Sequence, residues 1–175
     1  FTFHNARLAA QGTALYLKEE LKKKSSPIYG RKPVVIIGHD SRFQGREFAL
    51  AVAETLANEG LEPLLCNDDA PTPVIAFSIR AKKAIGGINM TASHNPAEYQ
   101  GFKFSVYNGA GAPPEATKVI EANIRKLQKS NWRPKSVTPP ELLKVKTFDP
   151  KPAFFRQLKK LVNFEAIRSA GLKVV

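Results

Sequence analysis

The sequence predicts an α/β fold with three layers, in which helices cover both faces of a mixed, mostly parallel sheet of about four strands. Two observations lead to this prediction. Short apolar runs typical of strands alternate with amphipathic helical stretches along the first half of the chain. The last two strand-like runs, 84–90 and 102–107, are joined by a loop that is too short for a helical crossover. That pair is therefore expected to be antiparallel.

The first three elements follow from periodicity and from stop signals. A helix is predicted over residues 3–24, where apolar residues recur at helical spacing after Thr2, a residue type that caps helices. The β-branched run 34-VVIIG-38 predicts a strand buried on both faces. A second helix is predicted over 47–59, with Gly60 as its C-terminal stop.

The alternation continues through the middle of the chain. The elements expected there are a strand at about 61–66, a helix at 74–83 and strands at 84–90 and 102–107. Polar turns follow the ends of the first three strands, at 39–46, 67–73 and 91–101. Because ligands gather at the carboxyl ends of parallel strands in open α/β sheets, these turns are where a functional site is expected.

The last third of the chain predicts a change of domain. The segments expected are a helix at 114–129, a proline-rich connector at 131–144, helices at about 152–162 and 163–169, and a new strand at 172–175. We expect residues 1–148 to form one domain that is truncated at its N-terminus. Residues 149–175 are expected to be the truncated opening of a second domain, and 146–175 to be the least ordered part of the chain.

Charge and cysteine content limit the partners. The 175 residues include 27 basic and 15 acidic ones, for a net charge of +12, which favours anionic partners. The basic residues fall on helix ends and helix faces and form no nucleic-acid signature, so a phosphorylated small molecule is predicted rather than nucleic acid.

The single cysteine, Cys66, lies in an apolar run and predicts a buried, inert thiol in a reducing compartment. The N-terminus does not read as a signal peptide, and the apolar runs are too short to span a membrane, so a cytoplasmic location is expected.

The most informative stretch is 91-TASHNPAEYQGFK-103. Ser93 could carry a phosphoryl group, but turn chemistry alone favours a serine that bonds its own backbone. Lys103 could return beside the loop and exchange a proton, although spacing alone favours an exposed strand lysine. Because adjacent side chains generally point apart, His94 is not expected to serve Ser93 as a base. The chain has no Walker A sequence, no G-x-G-x-x-G and no histidines at metal-ligand spacing, which leaves phosphate chemistry as the prediction.

This stretch resembles the active-site serine loop of the α-D-phosphohexomutases, the phosphoglucomutases and phosphomannomutases. Shorter matches occur in the same order as in that family, namely 1-FTFHNARLAAQG-12, 35-VIIGHDSR-42, 70-APTPV-74 and 171-GLKVV-175. The resemblance covers essentially the whole chain. It implies the fold of phosphoglucomutase domain I followed by the opening of domain II.

The resemblance also implies a reaction and the residues that perform it. Ser93 would carry the phosphoryl group that converts hexose 1-phosphate to hexose 6-phosphate through a bisphosphorylated sugar. Lys103 would be the general acid and base, and His94 would contact the phosphate or the sugar hydroxyls. Thr91 and Asn95 would hold the loop.

Further implications concern the metal and the missing segments. Mg²⁺ would bind the phosphoryl oxygen of Ser93, with aspartates that this chain lacks, and glucose 1,6-bisphosphate would be the activator. Asp40 and Arg42 would lie near the loop and could take part in the site. A structural ion pair that shapes the loop is at least as well founded as a direct role in the site. Gln100 replaces the usual asparagine. Because the family's other loops are absent, we expect the piece to fold at least partly but to show no turnover. The alternative is a catalytically silent phosphate-binding module, and the preferred hexose and the oligomeric state stay open.

Overall fold

The computed structural model describes residues 1–138 and 145–173. Its helices and strands in chain order are α1 (Phe3–Lys22), β1 (Val34–His39), α2 (Gly45–Asn58), β2 (Glu62–Cys66), α3 (Thr72–Ala81), β3 (Gly86–Met90), β4 (Phe102–Val106), α4 (Pro114–Lys129), β5 (Thr147–Phe148), α5 (Lys151–Leu161) and α6 (Phe164–Ser169).

The strands form one mixed sheet in the order β4-β3-β1-β2-β5. β1 pairs in parallel with both β2 and β3, and β2 pairs in parallel with β5. β3 and β4 are antiparallel, as the short loop between them predicts. The predicted fold class is therefore confirmed, with five strands in place of about four.

The additional strand, β5, follows the proline-rich connector. The amide of Leu65 donates to the carbonyl of Lys146 at 2.9 Å, and the amide of Asn67 donates to the carbonyl of Phe148 at 2.9 Å. A two-residue strand is too short to show alternation in sequence, which is why it was not predicted. β5 ends at residue 148, and the proposed domain boundary there stays a prediction.

The helices cover both faces of the sheet. The side chains of Val35 and Ile37 point into a core cluster under α1, α2 and α4, whereas Ile36 between them points into a second cluster under α3. This alternation along β1 places hydrophobic surface on both faces of the strand. The result is the three-layer arrangement that the continuous apolar run predicts.

Two carboxylates fix the connector to the domain. Glu54 lies in α2, and Glu59 is the first residue after α2. Glu54 accepts hydrogen bonds from the Ser136 hydroxyl at 3.1 Å and from the Thr138 amide at 2.8 Å. The same carboxylate forms a buried ion pair with Arg7 of α1. Glu59 pairs with Lys135 at 2.8 Å. Residues 131–138 thus lack helix or strand and yet are tied to the domain, while 139–144 lie outside the described residues.

The C-terminal helices are the most exposed part of the described chain. Of the described residues in α5 and α6, none is buried. The ring of Phe154 packs edge-on against that of Phe77 in α3, with 5.6 Å between centroids. Leu172 and Lys173 are not in a strand, and the rest of the strand predicted at 172–175 lies outside the described residues.

Two remaining predictions concern burial and hydropathy. Cys66 is fully buried, and burial together with the nearby Asp149 carboxylate raises the pKa of its thiol to about 12. The thiol is therefore protonated at neutral pH and is a poor nucleophile. Across residues 1–138 and 145–173, no helix has the length and hydrophobicity that a membrane crossing requires.

Candidate functional site

Polar turns meet at the carboxyl edge of the parallel strands, as predicted. The amide of Ala70, in the turn after β2, donates to the carbonyl of His39 at 2.8 Å. The amide of Asp40, in the turn after β1, donates to the carbonyl of Met90 at 3.1 Å. The three turns therefore share one edge, and the loop that carries Ser93 begins there.

The serine loop, residues 91–101, is closed at its base by backbone pairing. The amide of Thr91 donates to the carbonyl of Gly101 at 3.0 Å, which extends the β3–β4 ladder by one pair. Inside the loop, the amide of Asn95 donates to the carbonyl of Ala92 at 3.1 Å. Residues 93–99 are exposed. The loop is thus fixed at its base and presents its tip to solvent.

Ser93 has a left-handed backbone conformation, with φ of 58°. Its amide is held by the loop itself, because it donates to the Thr91 hydroxyl at 3.0 Å. Its Oγ lies 3.2 Å from Nδ1 of His94. The expectation that these two side chains point apart is therefore wrong. It holds for extended backbone, whereas a positive φ rotates adjacent side chains relative to each other.

Arg42 connects the turn after β1 to the serine loop. Its guanidinium donates to four backbone carbonyl oxygens of the loop at distances between 2.6 and 3.1 Å, those of Ser93, Asn95, Pro96 and Tyr99. Its Nε donates to Oδ2 of Asp40 at 3.2 Å, and its backbone amide donates to Oδ1 of the same carboxylate at 3.2 Å. Asp40 and Arg42 therefore form an ion pair, and the arginine of that pair is hydrogen-bonded to the loop.

Lys103 lies on β4, the edge strand of the sheet. It is exposed and sits directly opposite Asn89 in the antiparallel pairing. Its neighbours Phe102 and Phe104 point to the other face and contact the core cluster under α1, α2 and α4. The predicted orientation of the strand is thus confirmed. The hydrogen bonds of the described residues do not include one between Lys103 and Ser93.

Three side chains near this edge carry a buried polar atom that was not recognised from the sequence. Nε2 of His39, Oδ1 of Asn89 and Nε2 of Gln100 are each buried without a hydrogen-bond partner among the described residues. Asn89 donates through Nδ2 to the Thr72 hydroxyl at 3.3 Å. A signal was available for two of them, because His39 and Asn89 are polar residues in otherwise apolar strand runs.

The described residues do not form a metal site by themselves. Among residues 1–138 and 145–173, no group of three or more histidine, cysteine, aspartate or glutamate side chains is placed to hold a metal ion. Ser93 offers a single oxygen at the tip of the loop, whereas Mg²⁺ requires octahedral oxygen coordination. The residues that the structure describes therefore do not fit a complete Mg²⁺ site.

Comparison with known proteins agrees with this geometry. Residues 1–131 match the family model described as phosphoglucomutase/phosphomannomutase, alpha/beta/alpha domain I. The chain belongs to this family. The resemblance found in the serine loop is thereby confirmed over most of the chain.

Individual relatives extend the match. The chain is 34% identical over 147 residues to a phosphoglucosamine mutase of Methylobacillus flagellatus, a match that covers 83% of this chain and 31% of the relative. It is 31% identical over 122 residues to a phosphoglucomutase of Staphylococcus saprophyticus, a match that covers 70% of this chain and 20% of the relative. This chain thus spans about a third or less of the length of these relatives.

A solved structure shares the fold. A Thermus thermophilus protein assigned as a phosphomannomutase superposes with a TM-score of 0.78 at 31% identity. The superposition covers 95% of this chain and 33% of that one. The three-layer domain and its mixed sheet are therefore those of the family's first domain.

Proposed function

We propose that the protein containing this chain interconverts hexose 1-phosphates and hexose 6-phosphates, as an intramolecular phosphotransferase with Ser93 as phosphoryl carrier. The observation that carries the proposal is the placement of Ser93, exposed at the tip of an anchored loop with His94 Nδ1 3.2 Å from its Oγ. Membership of the family and the mutase names of its relatives support it. Those names include both phosphoglucosamine mutase and phosphoglucomutase, so the proposal covers hexose phosphates as a class.

In the proposed first step, a hydroxyl oxygen of the bound sugar phosphate attacks the phosphorus atom carried on Ser93. The bond between phosphorus and the serine Oγ breaks as the new bond forms, and the proton of the attacking hydroxyl passes through Lys103 to the departing serine Oγ. The product is a bisphosphorylated sugar. Phosphoryl transfer of this kind depends mainly on positioning and on charge stabilisation, which a fixed loop and a lysine can supply.

In the second step, the sugar has turned over and presents its other phosphoryl group to Ser93. The serine Oγ attacks that phosphorus atom as the bond between phosphorus and the sugar oxygen breaks, and the serine hydroxyl proton passes through Lys103 to the departing sugar oxygen. His94 orients the serine hydroxyl through the 3.2 Å contact or, after transfer, contacts a phosphoryl oxygen. Thr91 supports the serine amide, and Asn95 takes part in the loop's internal hydrogen bond.

Mg²⁺ enters the proposal only as a partner of phosphorylated Ser93. A phosphoryl oxygen on that residue would give the ion one hard oxygen ligand, and the remaining ligands would come from outside the described residues. When bound, the ion would neutralise charge on the transferring group. Glucose 1,6-bisphosphate is proposed as the activator, because transfer of one of its phosphoryl groups to Ser93 would produce the phosphorylated serine.

Peptide mass spectrometry tests the carrier role in the complete protein. After incubation with glucose 1,6-bisphosphate and Mg²⁺, trypsin should release residues 84–103 with a mass gain of about 80 Da localised to Ser93. Phosphate on Thr91, or no gain, would contradict the proposal. The Ser93→Ala variant separates an enzyme from the alternative, a silent phosphate-binding module, because only the enzyme predicts a severe loss of rate.

The 175-residue chain alone is proposed to lack turnover, since it spans a third or less of its relatives. Measurable mutase activity from this chain would contradict that part of the proposal.

A further inference from the structure

We infer that Arg42 is a positioning residue that holds Ser93 in place for phosphoryl transfer and does not itself bind the phosphoryl group. An arginine beside a phosphate-carrying serine would ordinarily be interpreted as a phosphate ligand, because its fork matches two phosphate oxygens. The geometry of this site points elsewhere. The inference rests on the proposed carrier role of Ser93, and its test is chosen to be independent of turnover.

The donors of Arg42 are fully used. A guanidinium carries five N–H donors in a fixed plane and has no acceptor. Nε donates to Asp40 Oδ2 at 3.2 Å. The two Nη1 bonds go to the carbonyls of Pro96 and Tyr99, at 2.6 and 3.0 Å. The two Nη2 bonds go to the carbonyls of Ser93 and Asn95, at 3.1 and 2.6 Å. With five contacts for five donors, Arg42 has none left for a phosphoryl oxygen.

The charge of Arg42 is also engaged. The side chain of Arg42 is 14% exposed and that of its partner Asp40 is 25% exposed. The ion pair therefore lies behind the loop and contributes little net positive charge to its outer surface. A phosphoryl group on Ser93 would need cations from other sources, of which Lys103 on the neighbouring strand is one.

What Arg42 supplies is backbone geometry. Ser93 has a positive φ, which is unfavourable for a residue with a Cβ and persists only where surrounding contacts impose it. One of the five bonds fixes the Ser93 carbonyl itself. The other loop bonds fix carbonyls two, three and six residues later, so one side chain sets the path of most of the loop.

A lysine could not perform this task. It carries three donors on a single nitrogen atom, whereas the five acceptors around Arg42 are arranged about a planar fork. The Arg42→Lys variant should therefore keep the charge and lose the loop geometry. This separates positioning from a purely electrostatic role.

The test uses the complete protein and two variants, Arg42→Ala and Arg42→Lys. Arg46→Ala is the matched control, because Arg46 is an exposed arginine of α2 four residues away. The first measurement is the rate of chymotrypsin cleavage after Tyr99, an exposed residue whose carbonyl Arg42 holds. The second is the rate at which glucose 1,6-bisphosphate phosphorylates Ser93. Both measurements are repeated with added ethylguanidinium, which can replace the missing guanidinium group. Ethylammonium, which supplies only a positive charge, is the control compound.

We expect cleavage after Tyr99 to be at least about tenfold faster in both Arg42 variants, since hydrogen bonds to a charged group are lost. Phosphorylation of Ser93 should slow in parallel. In Arg42→Ala, ethylguanidinium should restore protection and phosphorylation, whereas ethylammonium should not. Arg46→Ala should match the parent protein. The Arg42→Lys variant keeps the test valid if Arg42→Ala does not fold.

Two results would overturn the inference. Parental cleavage rates in a folded Arg42 variant would show that the loop does not depend on this side chain. Unchanged cleavage with slower phosphorylation of Ser93 would show that Arg42 acts on the phosphoryl group directly and not through the loop. Protection lost without any phosphorylation of Ser93 in the parent would instead uphold the positioning of the loop and contradict the proposed function.

Discussion

Ser93 Oγ and Nδ1 of His94 lie 3.2 Å apart, although the two residues are neighbours in the chain. The contact depends on the positive φ of Ser93, which turns the two side chains toward each other. In an extended segment they would point to opposite sides. The backbone conformation at one residue therefore decides whether the loop holds an isolated hydroxyl or a hydroxyl with a histidine beside it.

The contact predicts that His94 assists transfer to and from Ser93. In the complete protein, His94→Ala should slow phosphorylation of Ser93 by glucose 1,6-bisphosphate by about 10- to 100-fold, the range for losing one hydrogen bond to a charged group. His4→Ala is the control, because His4 is exposed and lies on α1. Quench-flow measurement of phosphorylated Ser93 checks the effect. Equal rates in the parent and in His94→Ala would contradict it.

Lys103 is predicted to exchange a proton with the sugar hydroxyl. Lys103→Met should lower kcat by about 10²- to 10⁴-fold, the usual contribution of a general acid or base. Lys103→Arg should be nearly as slow, because a guanidinium keeps its charge but does not release its proton near neutral pH. Steady-state kinetics with hexose 1-phosphate provide the measurement.

The control for that experiment is Lys118→Met, which removes an exposed lysine from α4. Activity in Lys103→Arg close to that of the parent would show that Lys103 acts through its charge and would contradict proton transfer.

The sequence predicted the features that depend on local pattern. The β-branched run of β1 and the short connection between β3 and β4 were enough for the layers and for the antiparallel pair. The two-residue strand β5 was missed because it has no periodicity, and its place is set by β2 through backbone hydrogen bonds.

In the candidate site, too, features that depend on local sequence pattern could be predicted and features that depend on backbone conformation or distant contacts could not. The residue types around Ser93 indicated phosphate chemistry, and the three turns indicated the edge of the sheet. The orientation of His94 could not be predicted, since no residue type at position 93 requires a positive φ. The contacts of Arg42 could not be predicted either, because they join residues 51 to 57 positions apart in the chain.

The base of the serine loop predicts a position that is intolerant of a larger side chain. A Cβ at Gly101 would lie 2.6 Å from the carbonyl oxygen of Thr91, which is backbone and part of the pair that closes the loop. Gly101→Ala should therefore lower the free energy of unfolding by about 1–3 kcal/mol, the usual cost of overpacking. Gly111→Ala is the control, because a Cβ there meets nothing within 4 Å. Urea denaturation checks both, and equal stabilities of the two variants would contradict the prediction.

The last prediction concerns acid stability and rests on Glu59. Burial alone would raise the pKa of this carboxyl, but hydrogen bonds from Lys135, Lys18 and Gln11 outweigh it and lower the pKa from 4.5 to about 2. The ion pairs with Lys18 and Lys135 lie at 2.9 and 2.8 Å, and the carboxylate is 8% exposed. Glu59 thus joins α1 and the connector to the end of α2.

Because the folded pKa is lower than the unfolded one, Glu59 stabilises the fold where it is ionised in both states, above about pH 4.5. The contribution declines as the pH falls from 4.5 through 2, where the folded state also takes up the proton.

At pH 7, Glu59→Gln should therefore lower the free energy of unfolding by roughly 2 kcal/mol, within the range that such a pKa shift allows. The difference from the parent should shrink steadily in urea titrations between pH 4.5 and pH 2.5. Glu121→Gln, which removes an exposed carboxylate from α4, should show no such convergence. A pH-independent difference for Glu59→Gln would mean that its cost comes from packing, because only the loss of the ionised carboxylate can make the two stability curves approach each other in acid.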